Sequence, residues 1–345
     1  MIADLLREIL TSTMSGVLTV IVTSLLVAMV YALYFEMQRS KFMKDIRRFK
    51  TPAKRILCSE ELPHTFNVSE KSAFVPLLNE QEQKIILEQD AKGKNLFNGK
   101  AVRLDSLIDG EAVLSEVGFF DFMTTNLVVK PNSRTKKSAF SNLYAAIFSD
   151  QIRYASKLEH RIKAAVLGQS KKTFDDVLAI RELANIVTVS VLLQDSTGRV
   201  LVVKRGNKVA ISSGNFATAC AGSVDDRDLT NDNPFLSCAQ RELQEELGIK
   251  CDLKFDNLII SKQKLQPAAL FSGRLDCTFE SLYQDMLKAP DFKEENSTLF
   301  AVPDNKISGI VKKYQFTDVA AFQLAGRTKS WFTVIPQSIA PYKLS

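Results

Sequence analysis

Histidine is nearly absent from this chain, which holds only His64 and His160 in 345 residues. Histidine-based zinc chemistry and Ser-His or Cys-His catalysis therefore have little to work with. The five cysteines, Cys58, Cys220, Cys238, Cys251 and Cys277, are odd in number and scattered, with no Cys-x-x-Cys pair. That pattern excludes a disulfide framework and a structural zinc site, and reads as reduced, mostly buried thiols in a cytosolic setting. The net charge of +6 is modest, and much of the basic excess is gathered in one segment. No nucleic-acid polymer is expected as a partner. Internal repeats and low-complexity tracts are also missing. Any hydrolytic chemistry must then rest on carboxylates and a hard metal ion.

One long apolar run is present. Residues 9 to 35 carry no charged side chain, and Gly16 to Phe35 reads GVLTVIVTSLLVAMVYALYF. About 20 such residues, at ~1.5 Å each, span a hydrocarbon core of ~30 Å. Tyr31 and Tyr34 stand near one end, where amphipathic rings favour the interface. The leader MIADLLRE is charge-balanced and no Ala-x-Ala follows the run, so a cleaved signal peptide fits poorly. Arg39, Lys41, Lys44, Arg47, Arg48, Lys50, Lys54 and Arg55 follow, against only Glu36 and Asp45. Basic flanks stay on the cytoplasmic side, so residues 1–50 are expected to anchor a single-pass protein whose bulk faces the cytoplasm. The same cluster would attract the anionic headgroups of a lipid bilayer.

Residues 51–183 read as a smaller mixed α+β module. Leu96 to Leu104 predicts a turn and a strand, and Asp109-Gly110 between LDSLI and EAVLSEV predicts a hairpin. Phe119 to Phe122 follows the second strand, and helical patterns run from Ser141 to Leu167 and from Phe174 to Leu183. Ser133 to Lys137 reads as a solvated loop. This stretch carries no chemical constellation.

The chemistry lies in residues 184–345. Asn185 to Leu193 predicts a buried strand, Asp195 to Gly198 a turn, and Arg199 to Arg205 the return strand. Phe216 to Ala221 predicts a third strand ending at Gly222. Asn233 then caps a helix with Pro234 at its first position, and Gly248 ends it in a left-handed cap. Phe235, Ala239, Leu243 and Leu247 form its buried stripe. Glu242, Glu245 and Glu246, three and four residues apart, share the opposite face. Three like charges there destabilise a helix unless a cation sits among them. Oxygen-only ligands select a hard ion, Mg²⁺ first and Mn²⁺ second. Arg241, four residues before Glu245, can pin a carboxylate.

The ordered set Arg241-Glu242-Leu243-Gln244-Glu245-Glu246-Leu247-Gly248-Ile249, after two strands, a glycine loop and a capped start, resembles the core of the Nudix box. The family pattern runs glycine, five residues, glutamate, seven residues, arginine. Here Gly222 is the glycine, Asp228 stands in place of the glutamate, and twelve residues rather than seven separate it from Arg241. The resemblance implies a Nudix α/β/α sandwich and Mg²⁺-dependent hydrolysis of a nucleoside diphosphate linked to another group, NAD- or ADP-ribose-like. In that scheme Glu245 and Glu246 hold the metal, with Glu242 sharing it or acting as base. Arg241 orients a glutamate, and a remote acid, Glu294 or Glu295, activates water. A closing helix is expected around Ile307 to Leu324.

The anchored architecture also resembles transmembrane-Nudix effectors of bacterial cyclic-oligonucleotide antiphage defence, in which the ligand is a cyclic nucleotide and the setting the bacterial inner membrane. There the Nudix fold serves as enzyme or, catalytically weak, as a nucleotide sensor or a membrane-disrupting effector. An oligomer is compatible with either.

Overall fold

The computed structural model describes residues 55–90, 97–129, 150–206, 214–327 and 341–343. The membrane span expected at 16–35, the basic segment to 54 and the loop at 133–137 lie outside the described residues. Among the described residues no helix is long and apolar enough to cross a membrane.

Eleven strands are described: β1 (Ile56–Cys58), β2 (Thr65–Val68), β3 (Lys100–Ile108), β4 (Glu111–Gly118), β5 (Thr188–Gln194), β6 (Arg199–Arg205), β7 (Phe216–Ala217), β8 (Leu253–Ser261), β9 (Gln266–Arg274), β10 (Asn296–Pro303) and β11 (Pro341–Lys343). Eight of them form one mixed sheet in the order β1-β8-β9-β5-β6-β10-β11, with β7 added on β6. Within it β5 and β9 run parallel, and the other pairs are antiparallel. β2, β4 and β3 make a second, three-stranded sheet. This is a mixed α/β fold, as the sequence predicts.

The Asp109-Gly110 hairpin forms between β3 and β4, with φ of 51° and 74° at the two turn residues. Positive φ at both positions is the twist-matched turn that favours this dipeptide. Helix Asp150–Leu167 covers the described part of the run expected from Ser141, and helix Phe174–Leu178 stops five residues short of Leu183.

The segment before residue 184 shares its hydrogen bonds with the one after it. β1 pairs with β8 at the edge of the large sheet. The Val102 N–H of β3 donates to the Val224 carbonyl at 2.9 Å, and the Val187 N–H donates to the Val102 carbonyl at 2.9 Å. The chain leading from Gly222 to Val224 is thus held between β3 and β5.

Three expected elements differ. The strand expected at Asn185 begins at Thr188, because Asn185 takes φ of 44°, a left-handed conformation that asparagine tolerates. Of the strand expected from Phe216 to Ala221, only β7 runs continuously. The chain then changes partners, with Cys220 bridging Val191 and Ser223 bridging Thr188 on β5. The closing helix is two helices, Asp304–Lys313 and Asp318–Arg327. Between them the Thr317 N–H donates to the Phe216 carbonyl and the Phe216 N–H to the Gln315 carbonyl, both at 2.9 Å. Phe300, Tyr314 and Phe316 pack around the Phe216 ring at 5.2–5.7 Å. Pairing with β7 takes the backbone groups that a continuous helix would need. All five thiols are free, with Cys220 and Cys238 buried and Cys58 exposed.

Candidate functional site

The box helix spans Pro234–Leu247 with the bounds its caps predict. The Asn233 side chain accepts from the Leu236 N–H at 3.0 Å, and Gly248 ends the helix at φ of 66°. Phe235, Ala239, Leu243 and Leu247 are all buried against the sheet.

The glutamates are not simply opposite that stripe. At about 100° per residue, and measured from Ala239, Glu246 lies about 20° round the helix, Glu242 about 60° and Glu245 about 120°. Burial follows that order. Glu246 is 3% exposed, the Glu242 side chain 15% and the Glu245 side chain 32%. The expected opposite face is therefore corrected: the carboxylates climb from the buried seam to the rim.

Arg241 ties the helix to the preceding loop. Its Nη2 and Nε donate to the two Asp228 oxygens at 2.9 and 3.2 Å, and Nη2 also donates to the Ser223 carbonyl at 3.2 Å. Its Nη1 donates to Glu242 at 2.7 Å and to Glu245 at 3.1 Å. Asp228 is 1% exposed and also accepts from the Asp225 N–H at 3.1 Å. Burial works against the guanidinium charge, and the facing groups, Asp228 foremost, more than restore it. The aspartate thus grips the arginine from a short 3₁₀ turn, Asp228–Thr230. The longer connection that follows it leaves this pairing intact.

Gly222 makes room for the Glu242 carboxyl. A Cβ there would stand 1.9 Å from the Glu242 carboxyl carbon. The Glu246 carboxylate accepts from the adjacent Ala221 N–H at 3.4 Å. The glycine loop and the buried end of the glutamate ladder therefore touch.

Of the two candidate remote acids, Glu295 ends helix Phe292–Glu295 and accepts from Arg205 Nη2 at 3.0 Å. The side chain of Glu294 lies outside the described residues. Burial pushes Glu246 well above the ordinary carboxylate range, Glu242 and Glu295 add to the rise, and Arg205 opposes it. Glu295 and Arg205 thus belong to the same electrostatic neighbourhood as the box. Arg205 is a residue that sequence reasoning missed, as is Arg227, whose Nη1 lies 3.6 Å from Glu245. Arg205 could have been found as the last residue of a strand ending at the box. Arg227, one place before Asp228, gave no signal.

Burial also pushes Glu242 up to about 7, against the pull of Arg241. Among the described residues no three acidic, histidine or cysteine side chains converge closely enough to cage an ion. Glu242 and Glu245 are turned onto Arg241 instead. The donor set still fits a hard divalent cation: every side chain offered is a carboxylate, and two of the three are held at a raised pKa that a nearby positive charge would relieve.

A mixed sheet bearing a carboxylate-lined helix, pinned to a glycine loop by one arginine, defines the class of this region. Residues 184–324 match the family model described as NUDIX domain. No curated protein matches the chain. Among solved structures, DR0079 from Deinococcus radiodurans is 14% identical, with 41% of this chain and 82% of that chain covered and a TM-score of 0.32. The MutT protein from Methanosarcina mazei Go1 is 17% identical, with 42% and 96% covered and a TM-score of 0.29.

Proposed function

We propose that the Nudix domain hydrolyses a nucleoside diphosphate linked to another group, NAD- or ADP-ribose-like, with Mg²⁺ or Mn²⁺ as cofactor. The observation that carries this reading is the Asp228–Arg241 clamp, which sets Glu242, Glu245 and Glu246 in a ladder against Gly222. Glu245 and Glu246 would hold the ion, with Glu242 sharing it or taking the proton of the attacking water. The metal supplies charge neutralisation at the pyrophosphate oxygens and positions water. Arg241 orients Glu242 and Glu245. Glu295, poised by Arg205, is the second candidate base. We further propose that residues 16–35 anchor the chain in a membrane with the domain on the cytoplasmic side. By resemblance to anchored effectors of that architecture, we propose a role in a cyclic-nucleotide defence system.

A second reading has its own support, since Glu242 and Glu245 are both engaged by Arg241. On it the domain is kept for nucleotide sensing. One experiment separates the two: the purified chain is incubated with NAD, ADP-ribose, dinucleoside polyphosphates and cyclic oligonucleotides, with Mg²⁺ and with chelator. Turnover that needs the metal is expected. Tight cyclic-oligonucleotide binding with no turnover of any compound would sink the hydrolase in favour of the sensor.

The contact at Gly222 adds a prediction. Gly222→Ala displaces the far end of a flexible side chain rather than backbone, so the melting temperature should move by only a few degrees. The Glu242 carboxylate, however, must leave its place, and Mn²⁺ affinity by calorimetry should fall about tenfold or more.

A further inference from the structure

Arg227 is held in an unusual way for an exposed arginine. Its side chain is 61% exposed, yet its Nε and Nη2 donate to the Asp225 carboxylate at 2.6–3.2 Å, and its own N–H donates to the same Asp225 at 3.0 Å. Asp225 is in turn 3.6 Å from Arg241. The remaining terminal nitrogen of Arg227, Nη1, lies 3.6 Å from Oε1 of Glu245. The other oxygen of Glu245, Oε2, accepts from Arg241 at 3.1 Å. Each oxygen of this box glutamate therefore faces a different guanidinium. The two are not equivalent: Arg241 is 16% exposed and anchored by buried Asp228, whereas Arg227 stands at the rim.

An ion pair this exposed contributes little to stability, because solvent screens it and the long side chains lose freedom. A guanidinium fixed by its Nε side, with a terminal nitrogen turned to the mouth of a carboxylate site, is instead arranged to meet an anion. With its Nε–Nη2 edge taken by Asp225, the guanidinium offers Nη1 as a fixed, charged donor to a phosphate oxygen. Glu245 cannot face a divalent ion with Oε1 and keep Arg227 as that oxygen's partner. A cation on the glutamates also repels a guanidinium.

We propose that Arg227 is a substrate-binding residue that exchanges partners: it neutralises Glu245 while the carboxylates hold no metal, and turns to a phosphate oxygen of the substrate when they do. The claim rests on the hydrolase reading and extends it to a residue outside the box. No bond is made or broken in the exchange.

The test uses the full chain held in detergent, the variants Arg227→Gln and Arg227→Lys, and two probes, MnCl₂ and inorganic pyrophosphate. Removing the competing charge should tighten Mn²⁺ binding in Arg227→Gln about threefold, the scale of one exposed ion pair. The Mn²⁺-loaded variant should bind pyrophosphate about tenfold more weakly than the wild type, both read by calorimetry. Arg227→Lys should return Mn²⁺ affinity to the wild-type value but restore pyrophosphate binding only in part, since lysine keeps the charge and loses the two-point hold of Asp225 that fixes the donor. Unchanged pyrophosphate affinity in Arg227→Gln overturns the proposal, and so does unchanged Mn²⁺ affinity. A wild type that binds no pyrophosphate overturns it as well. Failure of the hydrolase reading would look different, with Mn²⁺ bound and no panel compound cleaved by the wild type.

Discussion

Replacing Glu246 by Gln is expected to cut turnover by more than about a hundredfold, the upper range for losing a residue that only supports a metal ligand. The same change should make the metal-free chain more stable. Glu246 is buried beside Glu242, and its carboxyl sits well above its ordinary value of 4.5. The sign of the stability effect follows directly. A carboxyl with a raised pKa binds its proton more tightly when folded, so the folded state holds more protons than the unfolded one between the two values. Stability then falls as pH rises from 4.5 towards the raised value, at ~1.4 kcal/mol per pH unit for one group. Glu242 adds a parallel loss between 4.5 and about 7. In EDTA, urea unfolding of the wild type should therefore weaken from pH 5 to pH 8. Glu246→Gln, which keeps an acceptor for the Ala221 N–H without a charge, should flatten part of that slope. Mg²⁺, which keeps the folded carboxylates deprotonated, should flatten the slope in the wild type and do much less in the variant. An equal pH slope in the two proteins would show that Glu246 does not carry the cost of burial. Unaltered turnover would remove it from the metal set.

The box helix was legible because every signal that defines it is local. A capping Asn233, Pro234 at the first position, a four-residue apolar recurrence and Gly248 act within one or two turns of the chain. The Asp109-Gly110 hairpin is legible for the same reason. What the sequence hid depends on partners far along the chain. β1 is three residues long and is a strand only because β8 offers an edge. The break at 314–317 exists because β7 pairs with it. The burial of Glu246 was in principle readable from helical angle, since that residue lies nearly over Ala239. The three glutamates span about 100° of the helix surface and do not form one face. The grip of Asp228 on Arg241 was not readable from spacing, because the twelve-residue connection can place the aspartate in many ways. Arg227 and Arg205 share that difficulty. Each acts through a charge on another element, and pairwise electrostatics across a fold leaves no period in the sequence.

Asp228→Ala should be the most destabilising substitution in the site. It removes a 1% exposed carboxylate that takes two hydrogen bonds from Arg241, at 2.9 and 3.2 Å, and a third from the Asp225 N–H. Losing one partner of a buried charge pair costs roughly 3–5 kcal/mol, because the other charge stays buried without its counter-ion. Arg241 keeps Glu242 and Glu245, so the lower end of about 3 kcal/mol is the expected value, read as a shift in the urea midpoint with unchanged slope. Asp228→Asn should cost less than Ala, since it keeps the shape and one acceptor oxygen, while it loses the charge and one of the two bonds accepted from Arg241. Asp228→Glu tests a different limit. The added methylene must enter a space with no exposure, and overpacking costs about 1–3 kcal/mol unless the 3₁₀ turn moves. If the clamp is what sets the glutamate ladder, Mn²⁺ affinity should fall in the order wild type, Asn, Ala. Stability loss without loss of Mn²⁺ affinity in folded Asp228→Asn would show that the clamp holds the loop and leaves the ladder to set itself.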